Sequence, residues 1–139
     1  MLISSIETFA SEYVTLVRVR TDDGDEGWGQ VSPYNADLTA EVVHRQVARH
    51  VIGMDASDID AVTAIVLDRE HKFQGTYLYR ALCGVDTALW DIKGKALGVP
   101  VYQLLGGPIR ERLRLYWSHC GSYRFPGSVE HMEREPIRT

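Results

Sequence analysis

With 139 residues, 45% of them hydrophobic and 24% charged, the chain has the composition of one ordinary globular domain with a sizeable core. A formal net charge of −4 gives no electrostatic ground for nucleic acid or an anionic membrane as partner. No apolar run approaches the roughly 20 residues that a bilayer span needs. Met1 to Glu7 lacks the basic start and apolar block of a signal peptide. Cys83 and Cys120 show no metal or redox spacing, so both are expected as reduced thiols in a cytoplasmic protein.

Strands come first. Leu2 to Phe9 mixes β-branched and polar residues, and Val14 to Arg20 (VTLVRVR) is the clearest strand. Asp22-Asp23-Gly24 is a turn signal, because glycine takes the positive φ of a tight hairpin at little cost. Glu26 to Val31 (EGWGQV) returns as a third strand, and its two glycines predict a bulge or a close backbone approach. Three such runs in sequence make an antiparallel meander.

Helices follow. Asp37 is a candidate N-cap for a helix from Leu38 to about His50, with Val43, Val47 and Val51 spaced by four and Gly53 ending it. Ser57 is the candidate cap of a second helix, whose apolar face is Ile59, Val62, Ile65 and Val66. A break at Gly75 precedes a long helix from near Tyr77. There Leu82, Val85, Leu89, Ile92 and Ala96 recur at steps of three and four, which places them on one stripe. Gly98 stands where a left-handed cap is wanted, Pro100 opens one more helical turn, and Gly106-Gly107 breaks it. Leu113 to Ser118 alternates as a strand, and the charged tail from Glu130 has no periodic apolar face.

The stretch from Gly84 to Gly107, together with Gly27-Trp28-Gly29, resembles the end of the N-terminal capping domain in the mandelate racemase/muconate lactonizing group of the enolase superfamily. Gln30 stands where that family often carries an acid. The resemblance covers roughly residues 1 to 120 and implies an α+β fold: a three-stranded antiparallel meander followed by a helical bundle. It places the capping domain at residues 1–112. Residues 113–139 then form the first strand and start of an incomplete (β/α)7β barrel. In the family that barrel holds a divalent metal, usually Mg²⁺, on three carboxylates, and carries the acid/base residues. Together these remove a proton beside a carboxylate and stabilise the enediolate.

None of that equipment is legible in this chain, so catalytic and metal-ligating residues are expected to be absent from it. Lys93-Gly94-Lys95 lies on a helix rather than at a barrel strand end and reads as two solvated lysines. Asp86 and Asp91 are five apart, off a common helical face, and are expected to bind backbone N–H groups or an arginine such as Arg80 or Arg110. The candidate substrate-binding residues are Tyr34 and Asn35, in the junction that the resemblance places over the barrel mouth. Ser118 and His119 join them at the end of the expected barrel strand. Only Ala10 to Tyr13 joins the first two strands, too short for the mobile lid common in the family. The expected partners are therefore a small carboxylic acid, the missing C-terminal barrel and a further copy of the chain. Two functions remain open: the capping part of a metal-dependent isomerase or lyase (a racemase or sugar-acid dehydratase) that is inactive alone, or a noncatalytic binding or oligomerisation module.

Overall fold

The computed structural model describes residues 1–11 and 13–116, in two units divided after Gly107. Strands β1 (Ile3–Ala10), β2 (Thr15–Thr21) and β3 (Glu26–Gln30) form an antiparallel sheet in the order β1-β2-β3. The register pairs Ile6 with Val19, Thr8 with Val17, Val17 with Gly29 and Val19 with Gly27. Because side chains alternate along a strand, this register sets Ile6, Val17, Val19 and both glycines on one face. Ile6, Val17 and Val19 are buried there. The turn between β2 and β3 carries Gly24 at φ +94, as the sequence requires.

The first helical rod runs as α1 (Ala36–Val42), a π-helical stretch over Val43–Ala48 and α2 (Arg49–Val51). The π stretch has a packing reason. In a purely α-helical rod, residues spaced by four rotate about 40° further at each step. A wider turn counteracts that drift, and Val43, Val47 and Val51 are all fully buried. The rod begins one residue before Asp37: its N-cap is Asn35, not Asp37, and no side chain caps it. The next helix, α3 (Ile59–Arg69), is capped by Asp58 rather than Ser57, because the Asp58 carboxylate accepts the Ala61 N–H at 3.2 Å. Ser57 instead closes an Asx turn on Asp55.

Helix α4 (Thr76–Leu97) is the spine of this unit. Leu78, Ala81, Leu82, Val85, Ala88, Leu89 and Ile92 are buried along it, whereas Ala96 is exposed and Trp90 half-buried, so the stripe ends one turn earlier than its spacing indicates. Cys83 lies within α4 and is exposed. The helix lies directly on β3. A Cβ on Gly27 would stand 2.1 Å from the Ala88 carbonyl oxygen, and one on Gly29 would stand 2.0 Å from that of Gly84. The two strand glycines are therefore a close backbone approach; the irregularity in the sheet is between Ile3 and Ser5 instead. Gly98 ends α4 at φ +67, and Pro100 precedes the short helix α5 (Val101–Leu104).

The long helix also seals the outer edge of β3. Asp91 accepts the Trp28 N–H at 2.9 Å, and Lys95 donates to the Glu26 carbonyl at 2.9 Å and to Asp91 at 2.8 Å. Strand edges left open invite pairing with other chains; here two side chains occupy the open groups. Lys93 in turn donates to the Ser57 carbonyl at 3.3 Å and lies over the Trp90 ring. The two lysines thus tie the helix to its neighbours, where simple solvation was expected. Asp91 has the expected backbone N–H but takes a lysine as its cation, while Arg80 turns to the Tyr34 carbonyl.

In the second unit the described residues are 108–116, and they carry no helix or strand. The strand expected at Leu113–Ser118 is not formed over residues 113–116. A strand exists only with a ladder partner, and these four have none among the described residues. Trp117 and Ser118 lie outside the described residues.

Candidate functional site

The loop after β3 is where polar side chains and an unusual backbone coincide. Tyr34 and Asn35 sit at φ 70 and φ 54, two successive left-handed residues that are not glycine. Asparagine tolerates this region; a tyrosine there carries strain on the order of 1–3 kcal/mol that the surroundings must offset. Contacts on both sides do so. From α4, Tyr77 Oη accepts a hydrogen bond from Asn35 Nδ2 at 2.8 Å, and Arg80 donates to the Tyr34 carbonyl at 3.4 Å with its guanidinium 5.7 Å from the Tyr77 ring centre. From the other side, the backbone N–H and hydroxyl of Thr39 both donate to the Asn35 carbonyl, and the buried Thr15 hydroxyl donates to the Ala36 carbonyl at 2.8 Å.

Tyr34 and Asn35 are thus adjacent, exposed and fixed in place. One side-chain amide N–H of Asn35 is committed to Tyr77, while its side-chain Oδ1 and second N–H have no hydrogen-bond partner among the described residues. Ser118 and His119, the other candidates, lie outside the described residues. Tyr77 and Arg80 are not among the sequence candidates for this site. Arg80 enters the sequence reading only as a partner for Asp86 or Asp91, and nothing local in the sequence shows that α4 runs beside a loop more than 40 positions earlier.

An open cleft of about 560 Å³ adjoins this loop. Gln30, Val31 and Ser32 form one wall; Thr76, Tyr79, Arg80 and Cys83 form the other. Its size falls in the range of small-molecule sites. Between β1 and β2 the Ser11 N–H donates to the Val14 carbonyl at 2.7 Å and the Val14 N–H to the Ser11 hydroxyl at 3.2 Å.

Charged groups elsewhere serve the fold. Glu70, only 2% exposed, accepts hydrogen bonds from Gln46 and Arg49 and pairs with His50 Nε2 at 2.7 Å. The His50 contact, reinforced by Arg49 and Gln46, overcomes desolvation and holds the Glu70 carboxyl at about 2. Burial pushes the Asp86 carboxyl up, with the Asp60 charge adding to it. On the outer sheet face Arg18 lies 5.2 Å from the ring centres of both Phe9 and Trp28 and donates to Glu7 at 2.8 Å. Among the described residues no three His, Cys, Asp or Glu side chains converge as metal ligands. No described helix is long and apolar enough to cross a membrane.

Comparison with known proteins agrees with this architecture. Residues 2–106 match the family model for the mandelate racemase/muconate lactonizing enzyme N-terminal domain. A D-galactonate dehydratase of Variovorax paradoxus is 38% identical over 118 residues, which is 85% of this chain and 31% of that protein. The chain thus spans under a third of the length of the curated relatives it matches. Among solved structures, a candidate racemase from Roseobacter denitrificans superposes with a TM-score of 0.75 at 55% identity, covering 78% of this chain and 30% of its own. A mandelate racemase/muconate lactonizing protein from Paracoccus denitrificans, complexed with magnesium, gives 0.75 at 34% identity over 81% and 32%. With residues 2–106 matched and the three-stranded sheet followed by helices in agreement, the chain belongs to the mandelate racemase/muconate lactonizing enzyme family, as its N-terminal domain.

Proposed function

We propose that this chain is the substrate-capping part of a metal-dependent isomerase or lyase that removes a proton next to a carboxylate, of the sugar-acid dehydratase or racemase type. The observation that carries the reading is the similarity to D-galactonate dehydratases at 38% identity, confined to under a third of their length. The loop supports it. A capping role needs side chains presented at fixed positions, and the brace from Tyr77, Arg80, Thr39 and Thr15 supplies them at Tyr34 and Asn35. Held this way, the phenol and amide orient hydroxyl or carboxylate oxygens of a bound acid without ordering the loop at each turnover. Ser118 and His119 complete the proposed set of contacts.

Mg²⁺ is the metal expected for the whole enzyme, where it would neutralise charge developing on the substrate carboxylate. The described residues do not fit it: Asp91 already bonds the Trp28 N–H and Lys95, and Asp86 stands apart from it without a third carboxylate. Metal and base therefore belong, in this proposal, to a barrel joined to this domain at about residue 113, and these 139 residues alone are inactive. The exposed Leu97, Tyr102 and Leu105 are the apolar surface assigned to that barrel or to a further copy of the chain. Sedimentation of the chain alone reads this as concentration-dependent self-association; a monomer at all concentrations would count against it.

The test of activity is exchange at the α-carbon in deuterated water, with Mg²⁺ and a panel of sugar acids and α-hydroxy acids. The chain alone is expected to match the metal-only control, and a barrel-bearing form to exceed it. Exchange by the chain alone, abolished by substitutions within it, would overturn the assignment.

A further inference from the structure

Six arginines lie in the first unit, and they divide by their partners. Arg18, Arg20, Arg45 and Arg49 each reach a carboxylate within 4.0 Å, and Arg69 is exposed. Arg80 differs from both groups. It is half-buried, stands on the wall of the 560 Å³ cleft, and has no acidic partner among the described residues. Its protein contacts are one 3.4 Å bond to the Tyr34 carbonyl and the face of Tyr77. A guanidinium has five N–H donors, and among the described residues one of them is used.

The cleft around it is uniform in character. None of its lining residues is acidic, although the chain as a whole carries a net charge of −4. Gln30, Ser32, Thr76 and Tyr79 line it with an amide and three hydroxyls, groups that donate to or accept from ligand oxygens. The nearby end of α4 adds to the positive field, since Gly75 contributes no side-chain cap and the first turn holds no acid. A partly desolvated guanidinium without a counter-charge is costly in the free state and is relieved by a carboxylate, which it meets in a bidentate fork. A terminal hydroxyl relieves it far less.

We propose that the cleft beside Arg80 is a carboxylate subsite, so that the substrate is a hydroxylated diacid: one carboxylate at the reacting end, the other received by Arg80. The inference rests on the capping function proposed above, because Ser32 of the cleft wall belongs to the loop that presents Tyr34 and Asn35. It goes further by choosing between acids with one carboxylate and acids with two. The Tyr77 ring lies beneath the guanidinium, its centre 5.7 Å away, and the hydroxyls at 32, 76 and 79 take the chain of alcohol groups between the two ends.

The 139-residue chain can be titrated with galactarate, galactonate and inorganic phosphate at constant ionic strength and pH 7, following backbone and Arg Nε signals by NMR. Galactarate is expected to shift Ser32, Thr76 and Arg80 saturably, and to bind at least about 10-fold more tightly than galactonate, the scale of one charge-assisted contact. Arg80→Met should abolish that preference, Arg80→Lys should keep part of it, and Arg45→Met should leave it intact. Equal affinity for the two acids, equal binding of phosphate, no saturable shift, or a preference that survives Arg80→Met would each overturn the subsite. In a barrel-bearing form, Arg80→Met should raise KM for the diacid at least about 10-fold more than it raises KM for the monoacid, whose own shift reads the loop contact alone. Turnover of acids with both KM values shifted alike would leave the capping function standing and remove the subsite. The expected titration without turnover of any acid would do the reverse.

Discussion

Replacing Gly29 with alanine tests the contact on which the packing of α4 against the sheet depends. The new Cβ would stand 2.0 Å from the Gly84 carbonyl oxygen and 3.0 Å from the Ala88 nitrogen, both backbone atoms within α4. No rotamer change relieves a clash with backbone. To bring the nearer distance to 3.0 Å, the limit that real Cβ atoms respect, the helix must lift by about 1 Å. A gap of about 0.5–1 Å forfeits a quarter to a half of each dispersion contact across it. Val85, Ala88, Leu89 and Ile92 are the fully buried residues on the lifted segment. Overpacking in a core that can adjust costs about 1–3 kcal/mol. With the adjustment spread over several buried residues, the expected loss is about 3–5 kcal/mol, a large part of the stability of an ordinary domain. Urea unfolding followed by circular dichroism at 222 nm reads it, with Gly75→Ser as control, because a Cβ at Gly75 meets open space and serine is a good N-cap. That control should be neutral or more stable by less than about 0.5 kcal/mol. A Gly29→Ala protein within about 1 kcal/mol of the parent would refute the backbone contact.

Leu89→Ala, at a fully buried position in the middle of α4, should cost about 2–5 kcal/mol in the same assay, and a surface-like loss would show the stripe misplaced. Glu70→Gln should destabilise the protein by about 2–3 kcal/mol at pH 7, since it removes the negative charge that Arg49 and His50 meet and turns one of the two acceptor oxygens into an N–H donor. The sign with pH follows from a folded-state value of about 2 against an ordinary 4.5. The contribution of Glu70 is complete above the unfolded value and is lost as pH falls from about 5 toward 2. The parent should therefore lose stability over that window and the Glu70→Gln protein should lose less; parallel pH profiles would exclude Glu70 as the cause.

What the sequence discloses here is what neighbours along the chain determine. The Asp22-Asp23-Gly24 turn, the left-handed Gly98 and the helical restart at Pro100 each follow from one or two residues and appear where expected. The glycine pair in β3 is ambiguous between bulge and close approach, because only a partner 55 or more positions later decides it. Cap choice fails for a local reason: Ser57 and Asp58 are both good caps, and Asp55 captures the serine first. The π stretch is hidden because four-residue spacing in Val43, Val47 and Val51 fits an α-helix until burial demands one face. Glu70 gives no signal at all, since a lone glutamate at a helix end reads as solvent-exposed.

The candidate site divides along the same line. Tyr34 and Asn35 are legible because Pro, Tyr and Asn between a strand and a helix are both loop formers and hydrogen-bonding groups. Tyr77 and Arg80 are not, because their residue types at the start of an amphipathic helix indicate nothing beyond a polar face. Yet the second pair holds the first in place. A Tyr34 at φ 70 with no brace would relax or sample other conformations. Tyr77 and Arg80 hold that backbone through the Asn35 amide and the Tyr34 carbonyl, and the same arginine faces the cleft. Arg80 thereby contributes both to the loop's shape and to the charge of the cleft. Exchanging Arg80 alters both together, and it is the comparison of Arg80→Lys with Arg80→Met that separates them: lysine keeps the charge and loses the fork, whereas methionine loses both.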